Sequence, residues 1–132
     1  LVIAPIGHDD AQPLPDREAA LHGMPADLSF RSGAPLAAYV EVYGLGLDGG
    51  NRTHYQVRYS FAPIQSAFAR VFSGARPVVF EFERGSEFGV ARERLVIEPD
   101  KLAAGRYRVT VAVTDLTRNV KSESVALDIS IH

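Results

Sequence analysis

Hydrophobic and polar residues alternate along most of the chain after position 25, and the clearest alternation lies within residues 100–115. There Tyr107, Val109, Val111 and Val113 fall on one parity, while arginine, threonine and alanine side chains occupy the other. Successive side chains of a β-strand point to opposite faces of its sheet. This period of two therefore predicts a strand with one buried face.

The same period recurs in five other segments, which lie between turns rich in glycine, proline, asparagine or aspartate. About seven short strands, with no helices alternating between them, are typical of an antiparallel sandwich. The sequence therefore predicts an all-β fold: an antiparallel two-sheet β-sandwich with an immunoglobulin/fibronectin III-like Greek-key topology. The segments comprise residues 36–43, 54–61, 78–83, 92–98 and 125–131, and residues 28–30 are expected to form a short edge strand.

The spacing of Leu102, Gly105 and Tyr107 before the clearest strand also favours a sandwich. This Leu-x-x-Gly-x-Tyr pattern is typical of a tyrosine corner. In such a corner, a tyrosine near the start of a strand hydrogen-bonds to backbone a few residues upstream. We therefore expect Tyr107 to have a buried ring and to donate its hydroxyl proton to backbone within residues 100–103.

Residues 1–24 lack a sustained period and are interpreted as a lead-in or inter-domain segment, so the sandwich domain is assigned to residues 25–132. The lead-in begins with a short apolar run that Pro5 interrupts. Farther along, residues 16–21 fit one or two turns of helix with Asp16 as the N-cap. The remainder of the segment is polar and rich in proline, which is typical of a linker.

Residues 63–76 are the part of the sandwich domain whose structure the sequence leaves open. Ile64, Ala67, Phe68 and Val71 have the spacing of one helix face, which favours a short helix. The glycine near the end of the segment fits a loop equally well.

Composition places the chain among ordinary globular proteins. Its 132 residues suffice for one domain with a core, and 46% hydrophobic with 23% charged residues argues against wholesale disorder. The net charge of −2 gives no electrostatic reason for nucleic acid as a partner. No apolar run approaches the roughly 18 residues of a membrane span. We therefore expect neither nucleic-acid binding nor membrane insertion. With no cysteine, the chain also has no disulfide framework.

Clusters of chemically active residue types are few. For His8-Asp9-Asp10 a solvated loop is favoured over a metal site, because such a short cluster rarely closes a site unaided. The segment Asp48-Gly49-Gly50-Asn51 favours a hairpin turn over a calcium loop, because it lacks alternating acidic residues. No Gly-x-Ser-x-Gly motif is present, so we predict no enzyme activity and no cofactor. The strand carboxylates expected on outward faces are Glu41, Glu81, Glu83 and Glu98.

Three stretches resemble the C-terminal β-sandwich of bacterial GWxTD-domain proteins. In that family a Tyr-rich strand ending in Tyr-Gly-Leu precedes a Tyr-x-Val-x-Tyr strand and a Leu-x-x-Gly-x-Tyr corner. The chain has no tryptophan, so it lacks the motif that names the family. The resemblance covers residues 25–132 and implies a bacterial multidomain parent, periplasmic or extracellular, with no established activity. The stretches are PLAAYVEVYGL (35–45), HYQVRYSFAP (54–63) and LAAGRYRVTVAVTDL (102–116).

The candidate interaction surface lies on the strand at residues 36–43. Parity places Glu41 on the solvent side, so Tyr39 and Tyr43 are expected beside it. If the strand at 92–98 lies in the same sheet, outward Val96 joins them. Tyrosine is enriched at interfaces because it buries a large area while keeping a polar tip. The sequence leaves open the alternative that the lead-in or residues 63–76 cover these side chains.

These features together predict a non-catalytic β-sandwich module. Its expected partner is a neighbouring domain of the same chain or another protein. The alternative is a carbohydrate-binding module, since sandwich folds host many binding functions. That alternative is disfavoured because the chain has no tryptophan and most of its tyrosine and phenylalanine residues fall on the core parity.

Overall fold

The computed structural model describes residues 1–6, 16–65, 76–87, 89–98 and 100–132. The cluster His8-Asp9-Asp10 and positions 66–75 of the open segment lie outside the described residues. The described residues contain one short helix and nine strands. The elements are β1 (Val2–Pro5), α1 (Arg17–Gly23), β2 (Ser29–Phe30), β3 (Leu36–Val42), β4 (Thr53–Pro63), β5 (Val78–Ser86), β6 (Ala91–Ile97), β7 (Gly105–Asp115), β8 (Val120–Lys121) and β9 (Val125–Ile131).

The strands form two sheets around a shared core, which confirms the all-β two-sheet sandwich. The smaller sheet has three strands in the order β1-β3-β6. The larger has six, in the order β2-β9-β7-β4-β5 with β8 paired to β7. Every pairing is antiparallel except that of β2 with β9. The chain changes from one sheet to the other after β1, β2, β3, β5 and β6.

The core consists of the inward parity of each strand, as the alternation predicts. In the register of β4 with β7, Val57 lies opposite Val113 and Tyr59 opposite Val111. Val57 and Tyr59 retain 0% and 1% of their accessible surface. Removing these side chains from water is the main favourable contribution to folding. The period of two therefore places the hydrophobic residues of both strands against the other sheet.

The tyrosine corner is confirmed. Tyr107 is 7% exposed, and its hydroxyl donates a 2.9 Å hydrogen bond to the carbonyl oxygen of Ala103. Leu102 is buried in the same core, and Gly105 begins β7. The corner therefore fixes the path by which the chain enters the central strand of the larger sheet.

Strand β1 belongs to the smaller sheet, whereas the sequence interpretation placed residues 1–24 in a lead-in outside the sandwich. Ile3 pairs with Ala38 of β3 and is fully buried in the main core. Pro5 ends the strand, and proline is tolerated there because β1 is at the sheet edge. So short a run, interrupted by proline, does not identify itself as a strand without its partner.

Helix α1 packs on the outer side of the smaller sheet. Its N-cap is Asp16, as predicted, and the Asp16 carboxylate accepts a 2.8 Å hydrogen bond from the backbone N–H of Ala19. The apolar side of the helix covers part of the sheet. The buried cluster between them comprises Val2, Ala4 and Ala20, with Met24 and Tyr39 packed against it.

The turn at Asp48 joins strands that lie in different sheets, so the hairpin predicted there is wrong. Asp48 Oδ1 accepts hydrogen bonds from the backbone N–H groups of Gly50 (2.8 Å) and Arg52 (3.0 Å). Asn51 has a positive φ of 58°, which asparagine tolerates better than most residues. The turn itself therefore occupies one oxygen of this carboxylate.

Candidate functional site

Most of the predicted interaction residues lie on the outer face of the smaller sheet. Outward positions of β3 and β6 meet in register, with Tyr39 opposite Arg94 and Glu41 opposite Arg92. Val96 lies on the same face and is 36% exposed. This face therefore combines carboxylate, guanidinium, phenol and apolar groups.

The two tyrosines of the predicted surface have different environments. Tyr39 is partly buried and packs against the cluster under α1 that contains Ala20. The alternative in which the lead-in segment covers the surface therefore holds for Tyr39. Tyr43 follows the end of β3 and is 68% exposed. Of the two, Tyr43 is the one that another molecule can contact over most of its side chain.

Glu41 is the centre of a polar network at this end of β3. The Tyr43 hydroxyl donates a hydrogen bond to the Glu41 carboxylate, and nitrogens of Arg17 and Arg92 lie 3.6 and 3.4 Å from its oxygens. The hydrogen bond from Tyr43 is the main cause that lowers the pKa of the Glu41 carboxyl, and the charges of the two arginines lower it further. The same bond raises the pKa of Tyr43. Glu41 is therefore ionised at neutral pH and orients the Tyr43 ring.

A cleft of about 520 Å³ opens between the first turn of α1 and the smaller sheet. Tyr39 and Arg94 line it, and the Tyr39 hydroxyl and Arg94 Nη1 are buried without a hydrogen-bond partner among the described residues. Burial raises the pKa of Tyr39, and the positive charge of Arg94 opposes that shift. Two cross-strand neighbours that line the cleft therefore each have a buried, unpaired donor. Its other polar lining residues are Asp16, Arg17, Glu18, Glu41, Arg92 and Glu93.

The loops at one end of the sandwich are joined by Asp115, the last residue of β7. Its carboxylate accepts hydrogen bonds from the backbone N–H groups of Gly46 (2.7 Å), Thr117 (3.0 Å) and Arg118 (3.1 Å). Burial alone would raise the pKa of the Asp115 carboxyl, but these bonds lower it below its ordinary value. An ionised and mostly buried carboxylate therefore ties the loop after β3 to the turn after β7.

Four exposed apolar side chains lie on or next to these connected loops. Two further hydrogen bonds hold the loops in place. The Leu45 N–H donates to the Gly89 carbonyl oxygen (3.1 Å), and Arg118 Nη1 donates to the Gly44 carbonyl oxygen (3.2 Å). Each of the four side chains lies on, or one residue from, a loop residue that makes such a bond. We refer to the four as the loop-end surface: Tyr43 (68% exposed), Leu47 (49%), Val90 (41%) and Leu116 (42%).

A carboxylate inside the sandwich escaped the sequence analysis. Glu93 of β6 is 9% exposed, accepts a hydrogen bond from the hydroxyl of Tyr55 in the opposite sheet, and lies 3.6 Å from Arg84. Burial is the main cause that raises the pKa of Tyr55, and the hydrogen bond and charge of Glu93 raise it further. Nearby, the Tyr59 hydroxyl is buried without a partner in the described structure. The signal was available, because Glu93 shares the parity of inward Leu95.

The outer face of the larger sheet is polar, and two ion pairs lie on its described strands. Arg108 donates two hydrogen bonds, of 2.8 and 2.9 Å, to Asp128. Arg58 lies 4.0 Å from Glu81 on the neighbouring strand. At the described strand positions, no aromatic side chain faces outward from this sheet. This face therefore presents no aromatic platform for a sugar ring.

Neither a metal site nor a membrane-spanning helix is found among the described residues, and the chain matches no known family. Within the described ranges, no group of three or more His, Cys, Asp or Glu side chains is arranged to hold a metal ion. No helix among the described residues is long and apolar enough to cross a bilayer. A scan against protein-family models and a search of curated proteins found no match for the chain.

Proposed function

We propose that the chain is a non-catalytic β-sandwich module that uses the loop-end surface to contact a neighbouring domain of its parent chain or another protein. The observation that carries this proposal is the exposure of four apolar side chains on loops that are fixed by hydrogen bonds. Large apolar patches on a protein surface commonly mark contact sites, because water solvates them poorly.

The loop-end surface is also pre-organised for binding. Gly46 is fixed by its 2.7 Å bond to Asp115, and the Tyr43 hydroxyl is already bonded to Glu41. Binding then orders few additional groups, so less conformational entropy is lost on association. Tyr43 contributes a large ring with a polar tip, the combination that is enriched at interfaces.

The strand order supports an immunoglobulin-like arrangement for this module. In immunoglobulin variable domains the loops at one end of the sandwich form the binding site. The loop-end surface occupies loops that follow β3, β5 and β7, all at the same end. The proposed contact thus uses the loops of the sandwich, whose sequence can vary without disturbing the core.

The resemblance to the C-terminal sandwich of GWxTD-domain proteins supports a bacterial multidomain parent in the periplasm or outside the cell. The matching stretches form β3, β4 and β7, together with the Tyr107 corner. In this proposal the module positions its partner and needs no cofactor.

Site-specific photo-cross-linking tests the proposed contact. p-Benzoylphenylalanine replaces Tyr43 or Leu47 in the full-length protein, in the cells that make it, and adducts are identified by mass spectrometry. Val79 is a matched control, because it is 42% exposed and lies on the outer face of the larger sheet. We expect one defined protein or one domain of the parent to be captured at Tyr43 and Leu47 and not at Val79. Equal adducts at all three positions, or none at the loop end, would contradict the proposal.

A glycan array separates this function from the alternative of a carbohydrate-binding module. The purified chain is expected to bind no glycan, since the outward strand positions described for the larger sheet lack aromatic rings. Saturable glycan binding that is lost in Tyr43→Ser would replace the contact proposal with the carbohydrate alternative.

A further inference from the structure

The floor of the cleft beside α1 contains two hydrogen-bond donors that lack an acceptor. Tyr39 and Arg94 are direct cross-strand neighbours, and the Tyr39 hydroxyl and Arg94 Nη1 are both buried and unpaired in the described structure. A buried polar group without a partner is destabilising, and the cost is larger when the group is charged. Such a pair is therefore unusual unless something else supplies the acceptor.

The carboxylates that line the cleft are engaged elsewhere or exposed. Glu41 is shared by Arg17 and Arg92, and Glu93 is bonded to Tyr55. Asp16 caps α1, and Glu18 is exposed on the helix surface. No carboxylate of the described residues forms an ion pair with Arg94. Among the arginines that line the cleft, Arg94 is therefore the one without an ion-pair partner in the described residues.

The size and the apolar lining of the cleft indicate what kind of acceptor fits. A volume of about 520 Å³ lies within the usual range of ligand pockets, roughly 300–1,000 Å³, and greatly exceeds a single inorganic anion. Leu1, Val2 and Val40 line it beside the polar groups. An aliphatic stem can pack against these residues while a carboxylate at its end reaches the donors.

We propose that this cleft binds an acidic side chain of a peptide segment, with the carboxylate accepting hydrogen bonds from Arg94 and the Tyr39 hydroxyl. Both residues line the cleft, and each has one of the unpaired donors. An arginine–carboxylate pair is among the strongest hydrogen-bonded contacts in proteins, because both partners are charged. The cleft and the loop-end surface meet at Glu41 and are altered by different substitutions, so either proposal can fail alone.

Two short peptides test the site by nuclear magnetic resonance. The ¹⁵N-labelled chain is titrated with acetyl-Ala-Glu-Ala-amide and with the uncharged acetyl-Ala-Gln-Ala-amide at equal ionic strength. We expect saturable shifts of the Arg94 Nε–Hε signal and of the Tyr39 ring signals with the glutamate peptide alone. Arg94→Gln should weaken that binding roughly tenfold or more, as expected for the loss of a charged hydrogen bond.

Matched variants separate binding from folding. Tyr39→Phe keeps the ring packed against the α1 cluster and removes only the hydroxyl, so it should weaken binding by a smaller factor with an unchanged amide spectrum. Arg108→Gln removes a guanidinium on the opposite sheet, and Leu47→Ser alters only the loop-end surface; both should bind the glutamate peptide as the parent chain does. Equal binding of the two peptides, no binding of either, or unchanged binding in both Arg94→Gln and Tyr39→Phe would overturn the proposal.

Discussion

The two outer faces of the sandwich differ in whether they bury unpaired polar groups. On the larger sheet Arg108 and Asp128 share two hydrogen bonds, and both side chains remain exposed to water. On the smaller sheet Tyr39 and Arg94 each bury a donor without a partner among the described residues. Exposed ion pairs contribute little to stability, because water solvates their charges whether or not they pair. Buried donors without a partner, in contrast, reduce stability. Incomplete pairing on the smaller sheet therefore indicates where a ligand would be stabilising.

The sheets also differ in how they are assembled. The larger sheet is built on β4 and β7, two paired strands of 11 residues each. The smaller sheet has a four-residue edge strand, β1, and is covered on part of its outer side by α1. The same N-terminal segment supplies walls of the cleft, including Val2 and Arg17. Stability and binding on the smaller sheet are therefore expected to depend on one segment.

The largest effect is expected when that segment loses its core contact. Ile3→Ala removes a fully buried side chain and should reduce the free energy of unfolding by about 2–5 kcal/mol, because a cavity remains between the sheets. Urea unfolding followed by circular dichroism measures this. Val125→Ala is the control, because Val125 is 48% exposed on the larger sheet and should cost less than about 0.5 kcal/mol. Equal costs for the two variants would mean that β1 is dispensable and that the contrast between the sheets is wrong.

The next largest loss of stability is expected when the hydrogen bond from Tyr55 to Glu93, which joins the two sheets across the core, is removed. Tyr55→Phe leaves the buried Glu93 carboxylate without its hydroxyl donor and should cost about 1.5–3 kcal/mol, as for other bonds to charged groups. Glu93→Gln and the double variant complete a thermodynamic cycle in urea. A coupling energy near zero would show that Arg84 alone satisfies the carboxylate.

Regular alternation made much of the fold predictable. The inward parity of β4 and β7 follows from the sequence, because Tyr55, Val57 and the valines of β7 recur at every second position. The Tyr107 corner was also predictable, since its spacing is local and its acceptor lies four residues away. Edge strand β1 was not, because four residues ending in Pro5 carry too little pattern to indicate a partner.

The candidate site was less predictable because it depends on contacts between distant parts of the chain. Parity correctly put Tyr39 and Glu41 on the outer face, but only the packing of α1 determines which tyrosine is covered. The bond from Gly46 to Asp115 joins residues 69 positions apart, which no local pattern indicates. Glu93 was the avoidable omission, since the alternation of β6 already placed it inside.

A smaller effect than at Tyr55 is expected at the Tyr107 corner. Tyr107→Phe removes a hydrogen bond to the carbonyl of Ala103, a neutral acceptor on an exposed residue, so the loss should be about 1 kcal/mol. Water can replace the hydroxyl at that carbonyl, which it cannot do as readily at the buried Glu93. Urea melts of the two tyrosine variants under the same conditions compare the costs. A larger loss at Tyr107 than at Tyr55 would mean that the corner, and not the cross-sheet bond, is the more important constraint.

The smallest effect is expected on the outer face of the larger sheet. The hydrogen bonds from Arg108, followed by its charge and that of Arg106, lower the pKa of the Asp128 carboxyl. A carboxyl with a lowered folded-state pKa stabilises the fold above its unfolded value of about 3.9, and that contribution is lost as the pH falls through the folded value. The stability difference between the parent chain and Asp128→Asn should therefore be small at neutral pH and vanish in acid. It should also shrink near 1 M salt, where the screening length is only about 3 Å. A difference that survives both acid and salt would show that this pair contributes more than an exposed ion pair can, and the contrast between the two faces would fail.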